Sequence, residues 1–186
     1  MDKMSADRYA GVLSRAECLA HQVQVDAALD AMAARVKAVL CDKDPLVLSV
    51  MTGGIVVAGL LLPRLDFPLR LDYVHATRYR GALSGADLHW QHRPAEAVRG
   101  EHVLVVDDIF DQGLTMEAIV AACREDGAAS VTAAVLALKE GAAQTDYRPD
   151  VVGLTLPNRY VMGYGLDYKR YFRNLPGIYA AADEDI

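Results

Sequence analysis

Long apolar runs are missing from this chain. Nowhere do about eighteen apolar residues follow one another, the least that a membrane-spanning helix needs, so no membrane partner is expected. Cysteine is scarce. Cys18, Cys41 and Cys123 are odd in number and far apart, which offers no disulfide framework and no zinc or redox spacing, and points to reduced thiols in a cytoplasm. The histidines, His21, His75, His89, His92 and His102, also lack paired ligand spacing, and His89 with His92 reads as surface. Positive charge is in deficit, with 19 Lys and Arg against 25 Asp and Glu, and the net charge of −6 argues against nucleic acid as the main partner. A secretory leader is not expected, because Met1-Asp2-Lys3-Met4-Ser5 is a polar start. Repeats, low-complexity tracts and linkers are absent, so the 186 residues are expected to form one enzyme-sized domain over 1–186.

What the chain does contain is concentrated in residues 103 to 115, Val-Leu-Val-Val-Asp-Asp-Ile-Phe-Asp-Gln-Gly-Leu-Thr. An apolar strand ending at Val106 would deliver Asp107 and Asp108 at its carboxyl end, where open parallel sheets place their ligands. From Asp111 to Thr115 the chain must turn, and Gly113 lets backbone N–H groups face an anion as a helix begins. Each part answers a chemical need. A ribose-phosphate offers a diol that carboxylates can accept from, directly or through a hard cation. Its 5′-phosphate suits a helix N-terminus with the Thr115 hydroxyl, leaving Asp111 for proton work. The plainer alternative is that the first two acids end a strand and Asp111 caps a helix.

Around this string the pattern alternates. Ser14-Arg15-Ala16-Glu17 has the form of a capping box and predicts one long helix through about Leu40, with Leu19, Val23, Leu29, Met32, Val36 and Val39 as its packing face. Strands are predicted at 46–51, 69–74, 103–106, 130–138 and 151–154, with helices near 55–63 and 116–126. Apolar strands alternating with helices imply an α/β fold with a mostly parallel sheet.

Three further places invite a chemical reading. Met51-Thr52-Gly53-Gly54 joins the first strand to a helix, and its glycines permit close approach to an anion, although glycine turns are also ordinary connectors. Residues 75–87 are polar and glycine-bearing, so they form either a functional loop or a hairpin whose return strand is Leu88-His89-Trp90-Gln91-His92. Finally, Lys139 follows a strand, and Pro157 to Pro176 is an aromatic-rich segment with an acid and several bases. Its plain reading is a packed edge strand and turn.

The string from Asp107 to Thr115 resembles the phosphoribosyl-pyrophosphate (PRPP) signature of the type I phosphoribosyltransferases. It departs at Gln112, where a small hydroxylic residue is usual and where phosphate is met largely by the backbone N–H. The C-terminal block resembles that of the hypoxanthine-guanine phosphoribosyltransferases, and the combined likeness runs from about residue 14 to Tyr179. It implies an open sheet flanked by helices over about 40–155, with a small hood built from about 1–40 and 156–186.

The resemblance also implies roles. Asp107, Asp108, Asp111, Gln112, Gly113, Leu114 and Thr115 would hold the ribose-phosphate, with Asp111 catalytic. Thr52 and Gly53 would receive pyrophosphate in a loop that often contains a strained or cis non-proline peptide, together with Arg173. Many relatives carry a basic residue at the position of Thr52. Lys139 would meet the purine 6-oxo group, Tyr160 would stack on the base, and Val161 would recognise it through backbone groups. Asp167 would serve the purine site and, with Asp107 and Asp108, magnesium. Arg78 and Tyr79 would match a Ser-Tyr pair on a closing lid, Arg78 departing from Ser and offering a guanidinium for the charge that Thr52 leaves unmet.

The implied activity is purine salvage: PRPP and hypoxanthine or guanine give IMP or GMP and pyrophosphate, with Mg2+ as cofactor and a homodimer or homotetramer as the assembly. Two rivals are a non-catalytic PRPP-binding regulator and a phosphoacceptor receiver domain. Lys139, Tyr160 and Asp167 weigh against the first. In the second, the acid pair should follow the first strand, whereas here it follows roughly a hundred residues.

Overall fold

Ser5 opens the first helix, its hydroxyl accepting from the Arg8 N–H at 3.2 Å. The computed structural model describes residues 3–78 and 88–186. Helix α1 (Ala6–Arg15) leads to β1 (Glu17–His21), α2 (Gln22–Leu40), β2 (Leu46–Val50) and α3 (Gly54–Leu61). A 3-10 turn at Leu62–Arg64 precedes β3 (Arg70–Arg78), β4 (Leu88–His92) and the short α4 (Ala95–Val98). Strand β5 (His102–Phe110), α5 (Leu114–Glu125), β6 (Ser130–Lys139) and β7 (Val151–Leu156) follow, then β8 (Val161–Met162) and β9 (Gly177–Ala180).

Six strands form one sheet in the order β4-β3-β2-β5-β6-β7. The pairs β2·β3, β2·β5, β5·β6 and β6·β7 are parallel, and β4 is antiparallel to β3. The expected α/β class with a mostly parallel sheet is what the chain adopts. Central strands read as unbroken apolar runs because helices cover both faces. Along β2 and β5 alternate residues separate cleanly: Val47, Leu104 and Val106 pack with α2 and α3, while Leu48, Val103 and Val105 pack with α5. Each of Val103 to Val106 is fully buried, a contribution of about 1.5–3 kcal/mol apiece, and this anchors the strand that carries the acids. On the inner face of α5, burial pushes the Cys123 thiol up to about 11, so it acts as an apolar packing group.

A second, antiparallel sheet of order β1-β9-β8 joins the two ends of the chain, with Glu17 opposite Ala180 and Val161 opposite the same residue from the other side. This is the expected hood.

Several boundaries differ from the sequence expectation. The long helix from Ser14 is two helices with a strand between them. Ser14 sits in the last turn of α1 and its hydroxyl donates to the Gly11 carbonyl at 2.8 Å, and the turn into α2 is closed instead by Gln24 Oε1, which accepts from the His21 N–H at 2.9 Å. Glu17–His21 becomes a strand because β9 offers it a ladder, a tertiary partner that helical periodicity does not register. Leu29, Met32 and Val36 are buried as expected, whereas Val23 and Val39 face solvent. Likewise β5 does not end at Val106 but pairs with β6 as far as Phe110. The residues between β3 and β4 that carry Tyr79 lie outside the described residues, and Arg78 ends β3.

Candidate active site

At the carboxyl ends of β2, β5 and β6 the chain surrounds a cavity of about 480 Å³. All the expected site residues other than the lid pair line it, and the Arg78 side chain, like the whole of Tyr79, lies outside what the structure describes.

Asp107 and Asp108 stand near the carboxyl end of β5, both only 9% exposed. Asp107 Oδ1 accepts from the Asp108 N–H at 2.8 Å. Burial, and then the neighbouring Asp108 charge, hold the Asp107 carboxyl well above the usual carboxylate range. Burial also raises Asp108, against the pull of Asp107's hydrogen bond and the Arg173 guanidinium. Arg173 Nη1 lies 3.7 Å from Asp108 Oδ2, and its Nη2 lies 2.6 Å from Asp167 Oδ1. One guanidinium thus ties the end of β5 to the segment after β8, and it donates to the Gly165 carbonyl as well.

The 51–54 turn is pressed against this group. The Met51–Thr52 peptide is cis, as the resemblance implied for this loop. A Cβ on Gly53 would lie 1.7 Å from Asp108 Oδ2 and 2.9 Å from Arg173 Nη1, so only glycine fits. Thr52 contributes no charge, but Arg173 supplies a cation directly beside the loop.

Past β5 the backbone turns at Gly113, whose φ of 83° is left-handed, and α5 begins at Leu114. The expected helix start near 116 is two residues late. Both Leu114 and Thr115 belong to the first turn, whose N–H groups have no partner within the helix and so suit an anion. The turn is buttressed from outside: Gln144 N–H donates to the Gln112 carbonyl at 2.8 Å.

On the far wall Lys139, at the end of β6, puts its Nζ 3.1 Å from Asp111 Oδ2. The ammonium is largely enclosed, with 13% of the side chain exposed, while Asp111 is 47% exposed. Tyr160 closes the cavity beside Val161 of β8, and its ring meets Tyr168 edge-on at 5.6 Å. Sequence reasoning passed over Ala76 and Leu166, which also line the cavity. Their apolar side chains are indistinguishable from core in the sequence, and only their position exposes them to a ligand.

Among the described residues no group of three His, Cys, Asp or Glu is arranged to hold a metal by itself. Two buried carboxylates with a third beyond Arg173 nevertheless suit magnesium, which keeps several waters and leans on one or two carboxylates together with substrate phosphates. No helix among the described residues is long and apolar enough to cross a membrane.

An acid pair at a strand end, a glycine turn and a helix N-terminus around one cleft define an α/β protein built for a phosphorylated ligand. Residues 16–169 match the family described as "Phosphoribosyl transferase domain". The hypoxanthine-guanine-xanthine phosphoribosyltransferase of Tritrichomonas foetus is 37% identical over 138 residues, covering 74% of this chain and 75% of that protein. The hypoxanthine-guanine phosphoribosyltransferase of Streptococcus pneumoniae is 32% identical over 143 residues, covering 76% and 79%. The chain belongs to the type I phosphoribosyltransferases, in the hypoxanthine-guanine phosphoribosyltransferase family. A crystal structure of a hypoxanthine phosphoribosyltransferase from Staphylococcus aureus superposes with a TM-score of 0.87 at 22% identity, covering 98% of each chain, which establishes the fold.

Proposed function

We propose that the cavity performs phosphoribosyl transfer from PRPP to hypoxanthine or guanine, giving IMP or GMP and pyrophosphate, and that residues 1–186 work as one domain in doing so. As a member of its family the protein is an enzyme of purine salvage. One observation carries the residue assignments: groups suited to each part of the two substrates face a single cavity, with Lys139 and Asp111 in contact across it.

The reaction breaks the bond from the ribose anomeric carbon to pyrophosphate oxygen and makes one to a purine nitrogen. Such chemistry passes through an oxocarbenium-like state, so the protein's work is alignment, charge neutralisation and proton handling. The first turn of α5, with Gln112, Gly113, Leu114 and Thr115, binds the 5′-phosphate through N–H groups. Asp107 and Asp108 accept from the ribose hydroxyls. Thr52, Gly53 and Arg173 receive the pyrophosphate. Lys139 donates to the purine 6-oxo group, Tyr160 stacks on the base, and Val161 meets its edge through the backbone. Asp111 takes the purine N7 proton.

Magnesium, when bound, neutralises pyrophosphate charge, and Asp107, Asp108 and Asp167 are the carboxylates that would hold it with PRPP. A homodimer or homotetramer is part of the proposal, supported by α3, an apolar helix on which Ile55 stays half exposed. So is a cytoplasmic location, supported by three free cysteines.

The test is pyrophosphate release at saturating PRPP and magnesium with hypoxanthine, guanine, xanthine or adenine. Release that depends on hypoxanthine or guanine is expected. PRPP binding without purine-dependent release would instead favour a PRPP-binding regulator.

A further inference from the structure

Residues Tyr168 to Phe172 separate Asp167 from Arg173, the two side chains that meet at 2.6 Å in the cleft. Their backbone is unusual. Lys169, Arg170 and Phe172 have φ of 50°, 74° and 68°, in the left-handed region that residues bearing a Cβ rarely adopt. Such conformations persist only where the surroundings hold them, and they gather at functional sites. Part of the hold is local: Asp167 Oδ2 accepts from the Arg170 N–H at 2.7 Å, and Tyr168 and Tyr171 exchange backbone bonds of 3.0 and 2.9 Å. A further part comes from the two ends of the chain.

From the N-terminal side, Tyr9 of α1 stacks on Phe172 with ring centroids 4.2 Å apart and an interplanar angle of 13°. The Met4 N–H donates to the Tyr171 hydroxyl at 3.1 Å. From the C-terminal side, the Asp185 carbonyl accepts from Lys169 Nζ at 3.0 Å and from the Tyr168 hydroxyl. Arg15 Nη2, 2.6 Å from Asp185 Oδ1, links the two ends to each other. The rings then continue inward. Phe172 meets Tyr168 edge-on at 5.8 Å and Tyr168 meets Tyr160 edge-on at 5.6 Å, so four aromatic side chains lead from α1 to the cavity wall. Helix α1 precedes the segment matched to the family, which begins at residue 16.

We propose that α1 and Asp185 form a clamp that sets the positions of Asp167, Arg173 and Tyr160, with Tyr9 as its principal positioning residue. The proposal rests on the reading that those three residues face pyrophosphate and purine. None of the clamp contacts reaches the cavity, so each acts through the 168–172 segment. Loosening it shifts Arg173 from Asp108 and the 51–54 turn, which weakens PRPP, and tilts Tyr160, which weakens the base.

The experiment compares Tyr9→Ala with Tyr9→Phe, which keeps the ring, in the full-length protein well below the unfolding temperature of each. Tyr9→Ala is expected to raise KM for both PRPP and hypoxanthine roughly tenfold, inside the ~10²-fold that a misplacement of about 1 Å can cost. Tyr9→Phe should behave as wild type. Amide hydrogen exchange at 167–173 should quicken in Tyr9→Ala and not in Tyr9→Phe. Should Tyr9→Ala fail to fold, Arg15→Met, which removes the link to Asp185, is read in the same way. Wild-type KM values with unchanged exchange at 167–173 overturn the clamp and leave α1 as packing. If the wild type turns over no purine while exchange still quickens only in Tyr9→Ala, the functional reading fails and the clamp stands.

Discussion

Lys139 Nζ and Asp111 Oδ2 lie 3.1 Å apart, joining the end of β6 to the turn that follows β5. An ammonium has three donors and no acceptor, so one bond to Asp111 leaves two for a ligand. The same side chain can therefore orient the carboxylate and present a donor to a 6-oxo group.

Asp111→Asn keeps the shape of that contact and removes the ability to accept a proton. We expect kcat to fall by ~10²–10⁴-fold, the usual contribution of a positioned general base, with PRPP binding retained. Steady-state rates alongside calorimetric titration with PRPP and magnesium check this. Near-normal turnover would leave Asp111 as an element of the turn alone.

Lys139→Met removes the donor proposed to separate 6-oxo from 6-amino purines. KM for hypoxanthine and guanine should rise, and their advantage over adenine should shrink by about 1–3 kcal/mol, the cost of one buried polar group left unpaired. Competition assays with the three bases measure the difference. A wild type that used adenine as well as hypoxanthine would contradict the assignment of the purine wall.

The same substitution at two glycines should have opposite effects. In Gly53→Ala the new methyl would overlap Asp108 Oδ2 at 1.7 Å, so either the loop or the acid must move, and kcat/KM for PRPP should drop by ~10²-fold. In Gly59→Ala on α3 the methyl meets nothing within 4 Å, and the helix should gain about 0.5–1 kcal/mol. Thermal melts and PRPP saturation curves of the two variants separate the cases. Unimpaired PRPP kinetics in Gly53→Ala would mean that the close packing of loop on acid is dispensable.

Stability should also depend on pH through the acid pair. Asp107 and Asp108 are raised above the ordinary value of 3.8, so the folded state binds their protons more tightly than the unfolded state does. Their contribution is fully present below 3.8 and is lost as pH rises through the raised folded values. Asp107→Asn, which can still accept from the Asp108 N–H, should therefore melt at a higher temperature than wild type near neutral pH. The gap should close as the buffer is acidified. A variant less stable than wild type at neutral pH would show that the ionised pair supports the fold.

Much of the site was legible in sequence because its parts are local. Asp107 to Thr115 combine a strand end, a glycine turn and a helix start within a few residues, and the chemistry follows from their order. Strands β2, β5 and β6 were legible because their continuous apolar character reflects burial on both faces. The segment 17–21 was not, since its strand character comes from β9, far away in the chain. Leu166 and Ala76 escaped notice for a related reason: an apolar side chain carries no sign of whether it faces core or ligand.

By itself, then, the sequence determined the α/β alternation, the glycine turn before α5 and the chemical types available, because periodicity, glycine and charge act over a few residues. Tertiary structure alone decided which groups meet. Arg173 reaches Asp108 and Asp167, Lys139 reaches Asp111, and Tyr9 reaches Phe172 only after sheet and hood have closed. Those distances depend on contacts between residues far apart in the chain, formed by packing and ladder hydrogen bonds that no short stretch of sequence encodes.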